Sequence, residues 1–465
     1  MITPPTHRER GEPSASPAPK TWSVGTLTYT SSGLVVLFCW LLWGDFAASL
    51  KDRSVPAVVQ LLLKRFEASD TVAGLLIGSL PAIIGLVVVP IVSYRSDRHR
   101  GRWGRRIPYL LIVTPIAAFS MLGLAFSPQL GRMLDVALGS HSPGLNDSIL
   151  IFFGLFWASF EFASIVLAGS LIGALINDVV PRPVLGRFFG LFRAFSLIAG
   201  MIFNYWLLGK AETHYVWVFL GIGALYGVGF TVMCLKVKEG DYPPPPPVKA
   251  GVAGGFFSAA AAYFRESFTK PYYLWVFAAI NLTWMAFVPV NLFGVFFAKS
   301  VQMNMDTYGK IWAFTYLISL VMAYVLGSLA DRFHPLRVGM VILGFYALAT
   351  LWSGLFATDA RTFSIALIAT GVLSGTWQTA TASLSQRLFP QASFAQYSSA
   401  MGIVGGVCNV VLPPLVGRFL DLTHHVYRYT HLVSCGIALL ALAASLVLYR
   451  KFVALGGPGA YRAPE

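Results

Sequence analysis

The sequence predicts an all-α integral membrane fold: twelve spanning helices in two pseudo-symmetric six-helix bundles. Three observations carry this expectation. Of the 465 residues, 56% are hydrophobic and only 12% charged, and a mean hydropathy of +0.67 lies beyond a soluble domain of ordinary composition. Apolar runs of about 20 residues, the length that crosses a bilayer, recur along nearly the whole chain. A proline-rich polar stretch then divides those runs into two equal groups. With no water in hydrocarbon to satisfy the backbone, such runs must be helical; the short alternating segments of a β-barrel are absent.

Residues 1–26, rich in Pro, Ser and charge and lacking the apolar core of a signal peptide, read as a disordered cytoplasmic tail. A first bundle is expected over 27–236, with helices near 28–50, 71–94, 106–127, 148–177, 186–208 and 215–236. Residues 237–271 read as a cytoplasmic linker, in which Lys238-Glu239-Gly240-Asp241-Tyr242 precedes five prolines at 243–247. The second bundle is expected over 272–453, with helices near 273–298, 310–330, 337–357, 363–386, 396–419 and 430–451, and a cytoplasmic tail over 454–465. The first helix admits two readings. It ends near Leu50, leaving 56–66 as an amphipathic surface helix, or it continues past Pro56 to about 64 and lines a cavity, because a proline is tolerated in a membrane helix that does so.

The net charge of +14 does not point to nucleic acid, because its location follows the positive-inside rule. Arg95, Arg98, Arg100, Arg102, Arg105 and Arg106 crowd the loop between helices two and three. That places the loop, both termini and the linker on the cytoplasmic side of the inner membrane. Cys39, Cys234, Cys408 and Cys435 stand singly in apolar segments and suggest neither a metal site nor a disulfide. No nucleophile–base set or nucleotide loop appears, so neither an enzyme nor a cofactor is expected.

The two bundles echo one another. Pro90-Ile91-Val92-Ser93-Tyr94-Arg95-Ser96-Asp97-Arg98 closes helix two, and Gly327-Ser328-Leu329-Ala330-Asp331-Arg332 closes helix eight. Val180-Pro181 with Gly186-Arg187 precedes helix five, as Phe389-Pro390 with Ala395-Gln396 precedes helix eleven. Repeats around a central site are a transporter plan. Asp97-Arg98 followed by Gly104-Arg105-Arg106 resembles the loop signature of the major facilitator superfamily. Within it, 96–108 is similar to the glycoside-pentoside-hexuronide:cation symporters and the sucrose:proton symporters, and Pro90 through Arg98 resembles a stretch of the sucrose carriers. Gly44-Asp45-Phe46 is similar to the glycoside symporters, and Ala174-Leu175-Ile176-Asn177-Asp178 to the sucrose group. The chain departs from these patterns at two places: 72–94 carries no carboxylate where glycoside symporters place acids, and Gly173 stands where the sucrose carriers place an arginine.

An ionisable side chain at membrane depth costs a few kcal/mol, so each is a functional candidate. Glu161, near the middle of helix four, is the first candidate for a proton site; the alternative is a static pair with a cation such as Arg193 in helix five. Asp45 is the second proton candidate and a cavity candidate. Lys51, Asp52, Arg53 and Arg193 join it as substrate-binding candidates, with Asn281, Trp284 and Asn291 of helix seven and Trp377 and Gln378 of helix ten. Amides both donate to and accept from hydroxyls, and aromatic faces cover the apolar side of a sugar ring. The same amides also tie membrane helices together. Asp97, Arg98, Arg102, Arg105, Arg106, Asp331 and Arg332 are gating candidates, since ion pairs that break between two states bias their equilibrium.

The expected function is secondary transport of a sugar or glycoside by alternating access, in symport with protons, by a monomer in the bilayer. The alternatives are a facilitator or exporter of another small organic solute, and a non-transporting member of the fold acting in assembly or sensing.

Overall fold

The computed structural model describes residues 21–244, 263–390 and 393–464. Most of the expected tail lies outside the described residues, but its last part differs from expectation: Thr21–Val24 and Leu27–Thr30 pair as an antiparallel hairpin turned at Gly25, whose φ is +54°.

Helix α1 runs unbroken from Ser31 to Arg65, which decides for the longer reading. Thr30 starts it by accepting a hydrogen bond from the Gly33 N–H at 3.1 Å. Pro56 sits within it. Because proline has no N–H, the Asp52 carbonyl one turn earlier loses its helical donor. Helix α2 spans Asp70–Arg98, with a π-helical stretch at Gly74–Ser79. Helix α3, Ile107–Leu138, passes through Pro115 and Pro128, so the expected loop at 128–147 shrinks to a short turn. Helix α4 is Leu145–Val166, continued through a π-helical turn at Leu167–Leu171 into Ile172–Val179.

The run from Arg182 to Lys236 is 55 residues long, more than twice what a bilayer needs. A non-helical His214 (φ −121°, ψ 33°) breaks it into α5 (182–213) and α6 (215–236). After the linker come α7 (Pro271–Ser300, interrupted at Phe293), α8 (Met305–Phe333), α9 (Pro335–Phe356), α10 (Ala360–Ala380), α11 (Phe394–Leu422) and α12 (Tyr429–Ala454). Nine helical runs are long and apolar enough to cross a membrane, the broken one counted once. With that run divided and the more polar α8 and α10 added, twelve long helices stand among the described residues.

The buried core of α1 to α6 is one large cluster including Leu41, Val58, Trp157, Phe188 and Phe230. The later helices pack around two smaller clusters, one at Tyr273, Phe389 and Tyr397 and one at Phe287, Tyr346 and Trp377. Large apolar side chains face outward instead of polar ones, among them Phe119, Trp217, Val341 and Leu440. Hydrocarbon is the solvent that suits such a surface; the chain is an integral membrane protein.

The earlier and later helices meet closely at the end of the bundle away from the arginine loop. There α2 lies against α11, with Gly74 and Gly78 in contact with Pro413 and Gly417 against the Asp70 carbonyl. The Ser79 hydroxyl donates to the Val410 carbonyl at 2.6 Å. On the other side α5 meets α8, where a Cβ on Gly309 would stand 2.1 Å from the Asn204 carbonyl oxygen. Only residues without a side chain let the backbones approach so far.

Candidate functional site

A cavity of about 350 Å³ lies between the two groups of helices, lined by Asp52, Arg53, Gln60, Arg193, Asn204, Asn291, Tyr308, Trp312, Tyr316 and Gln378 among others. Gln60, Asn291 and Gln378 also line a second space of about 890 Å³. The two spaces therefore adjoin, with these three side chains between them. The larger one runs between α2, α7 and α11 past Pro90 and Ser399, toward the end that carries the arginine loop. Its lining is apolar apart from Gln60, Asn291, Gln378, Ser399, Asn409 and the Trp284 ring.

Breaks in helical hydrogen bonding place several of these side chains. Asp52 and Pro56 share the opened turn of α1. Asn204 sits in the π-helical stretch Phe203–Leu207 of α5, and Asn291 precedes the interruption of α7, two residues after Pro289. Such irregular turns in membrane helices are tolerated where they line a cavity.

Around the first cavity the charges are arranged in two groups. Lys51 is wholly buried and points away from the cavity. Its Nζ donates to Asp52 Oδ1 at 2.5 Å and to the Ser164 hydroxyl at 2.7 Å, and it lies 5.0 Å from the centres of both the Phe160 and Tyr226 rings. Asp52, its side chain 40% exposed, faces the cavity with this partner behind it. Glu161 stands close enough for the charges of Lys51 and Asp52 to act on it, and does not line the cavity. Among the described residues no ion pair joins Glu161 to Arg193, the static partner considered from sequence.

Arg53 and Arg193 form the second group. Arg53 donates to the Ser196 hydroxyl at 3.3 Å and stacks 4.9 Å from the centre of the Tyr316 ring of α8. Gly200 makes room, since a Cβ there would lie 2.6 Å from Arg53 Cδ and 2.9 Å from the Tyr316 ring. Arg193 lines the same cavity, within range of the Arg53 charge.

Other candidates lie elsewhere. Asp45 is buried, accepts a hydrogen bond from Ser49 at 3.2 Å, keeps Oδ2 without a partner, and does not line the cavity. Asn281 donates to the Met401 carbonyl at 3.2 Å and ties α7 to α11. Trp377 packs in the core against Phe287 and Trp284, whereas its neighbour Gln378 faces the cavity. The Trp284 ring reaches both places.

Gln60, Asn204, Tyr308, Trp312 and Tyr316 were not anticipated. A signal existed for three of them: 308, 312 and 316 recur every four residues, which puts the rings on one face of α8. Gln60 stood alone among apolar residues in the second half of α1.

At the arginine-loop end a cluster ties helix ends together. Asp97 pairs with Arg106, whose Nη1 also donates to Ser96 at 2.5 Å. Arg105 grips Asp178 with two hydrogen bonds at 2.9 and 2.5 Å. The hydrogen bond to Asp178 raises the Arg105 guanidinium pKa and outweighs the burial that lowers it. The Glu239 carboxylate accepts from the N–H groups of Arg105, Arg106 and Ile107 at 2.9, 2.7 and 2.8 Å, capping α3. Tyr242 donates to Glu239 and lies under Arg105 at 4.1 Å. Arg98 lies over the Tyr94 ring and Arg332 over the Phe333 ring. Arg102 belongs to the same loop, and the Asp331 side chain lies outside the described residues.

The family model of the Major Facilitator Superfamily matches residues 41–413 and 295–460. A 52-residue segment is 44% identical to the sucrose transport protein SUT5 of Oryza sativa subsp. indica, covering 11% of this chain and 10% of that one. The chain spans about a quarter or less of the length of the curated relatives it matches. Among solved structures, a bacterial homologue of the human lysosomal transporter Spinster, inward-facing and unoccupied, superimposes with a TM-score of 0.65 at 15% identity over 94% of this chain and 100% of that one. A D-xylose-proton symporter superimposes with a TM-score of 0.60 at 13% identity, over 90% and 96%. At these identities the likeness establishes the fold.

Proposed function

The chain belongs to the Major Facilitator Superfamily, and on that premise we propose that it moves a sugar or glycoside across the inner membrane by alternating access, in symport with protons. The observation that carries this reading is the pair of adjoining cavities between the two groups of helices, which share Gln60, Asn291 and Gln378, with the Tyr316 ring lining the first and the Trp284 ring the second. Amides suit hydroxyls, since each both donates and accepts, and rings cover the apolar face of a pyranose. The matches to a sucrose transport protein and to a D-xylose-proton symporter point the same way.

In this reading the arginine loop is cytoplasmic, and the contacts of α2 with α11 and of α5 with α8 close the outer side. The cavity then opens inward. Glu161 carries the proton, within range of the Lys51 charge whose partner Asp52 stands at the cavity wall; Asp45 is a second acid within the same bundle. The helix-end charges from Asp97 to Arg106, with Asp331 and Arg332, gate the inner side. Coupling requires that proton and sugar favour the same transition.

The test is uptake of labelled sucrose, glucose and xylose by proteoliposomes holding the full chain, with and without an imposed proton gradient. A sugar should accumulate against its gradient in a manner abolished by an uncoupler, and Glu161→Gln should leave equilibration but lose accumulation. Unchanged accumulation in that variant removes Glu161 from the mechanism. Failure of all three sugars to enter removes the proposed substrate class.

A further inference from the structure

Away from both cavities, Asp70, Asp421 and His425 each bring one donor atom to a common place, all within 4.8 Å of one another. His425 Nδ1 lies 2.7 Å from Asp70 Oδ2 and 3.9 Å from Asp421 Oδ1. Donors bound to one tetrahedral zinc ion stand about 3.3 Å apart, and the two separations bracket that value. The charges here are short of a cation. Asp70 is 1% exposed and Asp421 17%, and among the described residues neither has a lysine or arginine within ion-pair distance. Lys64 stops at the Tyr427 hydroxyl, which stands between it and Asp70. The imidazole in contact with them carries at most one positive charge against their two negative ones. Both carboxylates are also aimed. The N–H groups of Asp70 and Thr71 hold Asp421 at 2.9 and 3.0 Å, and the Tyr427 hydroxyl holds Asp70 at 3.0 Å. Outer contacts of this kind fix metal ligands in place. The His425 side chain is 52% exposed, which gives an ion a way in.

We propose that Asp70, Asp421 and His425 bind a zinc ion, and that the bound ion holds this end of the molecule closed. One imidazole nitrogen with two carboxylate oxygens is a set that zinc accepts, with water in the fourth position. Calcium and magnesium ask for about six or more oxygens and have no such shell here. Asp70 belongs to the first group of helices, whereas Asp421 and His425 belong to the second. The set is therefore complete only while the two groups touch at this end. An ion that binds one state and not the other draws the equilibrium toward the state it binds. Zinc thus acts as a brake on the carrier, applied from the side away from the arginine loop. The braking role rests on the reading of alternating access; the binding of the ion does not.

The experiment has two arms, both on the full chain freed of its four cysteines, so that no native thiol competes for the metal. In the first, zinc chloride is titrated calorimetrically into the purified chain. One ion per chain is expected, with no competition from calcium or magnesium. His425→Asn keeps a residue that tolerates the positive φ of this turn, and its metal-free melting curve verifies folding. It should weaken zinc binding at least 10-fold, and Tyr427→Phe, which removes only an outer contact, should weaken it roughly 10-fold. No binding by the parent, or binding that His425→Asn leaves unchanged, overturns the site. In the second arm an impermeant thiol reagent labels Gln60→Cys from this side in proteoliposomes, with and without saturating zinc. Labelling should slow at least 5-fold, in proportion to the closed population. The same reporter carrying His425→Asn shows whatever zinc does to the thiol itself, and should not slow. Equal rates with and without zinc in the parent, or equal slowing in both chains, overturn the braking role. If the first arm still shows one ion lost with His425→Asn, the site stands and the alternating-access reading of this end is what fails.

Discussion

Asp70, at the start of α2, and His425, in the turn after α11, meet across the boundary between the two groups of helices, with 2.7 Å from Oδ2 to Nδ1. The Asp70 side chain is 1% exposed and also accepts from the Tyr427 hydroxyl at 3.0 Å, which itself accepts from Lys64 at 2.8 Å. Asp421 of α11 accepts from the N–H groups of Asp70 and Thr71 at 2.9 and 3.0 Å. His424 and His425 adopt positive φ, 55° and 59°, to make the turn, a conformation that costs non-glycine residues and persists where surrounding contacts hold it.

These contacts form the latch that closes this end. Asp70→Asn keeps the shape and removes the charge, so it should lose about 1.5 kcal/mol of closure, close to a 10-fold gain in the open population. The measurement is the rate at which an impermeant thiol reagent labels Gln60→Cys from that side, in a background freed of the four native cysteines. The rate should rise about 10-fold with Asp70→Asn. An unchanged rate would show that the latch does not control closure.

Lys51 and Asp52 are neighbours in sequence with unequal burial, and the inequality sets the sign of a second prediction. Asp52→Asn removes the carboxylate paired with a wholly buried ammonium and leaves it the Ser164 hydroxyl, two rings and the nearby Glu161, a cost on the order of 3 kcal/mol. Lys51→Met leaves a carboxylate that the cavity can hydrate, and should cost less. The double variant should be more stable than Asp52→Asn alone, because the ammonium that lost its carboxylate is gone. Melting temperatures in detergent for the three variants check the order, and an Asp52→Asn chain as stable as the parent would refute it.

How far the sequence reached depends on what each feature needs from its neighbours. Helix positions follow from local apolarity, and all twelve expected helices have counterparts in the structure. Pro56 could not decide the end of α1, because the choice rests on whether a cavity receives the opened turn, which is tertiary information. Trp377 and Gln378 were grouped as one pair, yet successive helical residues point about 100° apart, so one faces the core and one the cavity. Arg105 and Arg106 were visible as charges, whereas their partners Asp178 and Glu239 lie 73 and 133 residues away. Chain distance hides such pairs. The Tyr308, Trp312 and Tyr316 stripe was local and legible, and its spacing carries as much signal as that of the acids.

Glu239 follows α6 directly and holds the first turn of α3, so the two helices are joined through one carboxylate. Glu239→Ala leaves three N–H groups without this acceptor and frees the Tyr242 hydroxyl. The expected loss is about 1–2 kcal/mol, read as a lower melting temperature and as faster proteolysis near 100–106. Glu239→Gln, which keeps one acceptor oxygen but not the charge, should fall between the two. Equal stability of all three would remove Glu239 as the cap.

His334 lies between α8 and α9 with φ +73°, and its Nδ1 accepts from the Leu336 N–H at 3.2 Å. Burial, with Arg387 and Arg337 nearby, pushes its pKa down to about 4, below the ordinary value of about 6.5. A depressed histidine adds stability that is complete above about 6.5 and is lost as pH falls toward 4; protonation also removes the acceptor that caps α9. His334→Asn keeps an acceptor on a residue tolerant of positive φ and does not titrate. Between pH 6.5 and 4.5 its melting temperature should fall less than that of the parent; parallel curves would contradict the assignment.

Gly309 tests the contact of α5 with α8 directly. A Cβ at this position would lie 2.1 Å from the Asn204 carbonyl oxygen and 3.3 Å from the Leu208 side chain, and the first of these atoms is backbone, which cannot rotate aside. Gly309→Ala must therefore separate the two helices at this end, while α5 and α8 each keep their own hydrogen bonds. The fold should survive, because alanine favours a helix over glycine by about 1 kcal/mol; what suffers is closure. In the reading of alternating access the variant populates the state open at this end, so the thiol at Gln60→Cys should label faster from that side and slower from the arginine-loop side. Ligand binding in the cavity should persist while uptake falls, since a carrier that cannot close one side cannot complete its cycle. Labelling and uptake both equal to those of the parent would show that the close approach at Gly309 plays no part in the transition.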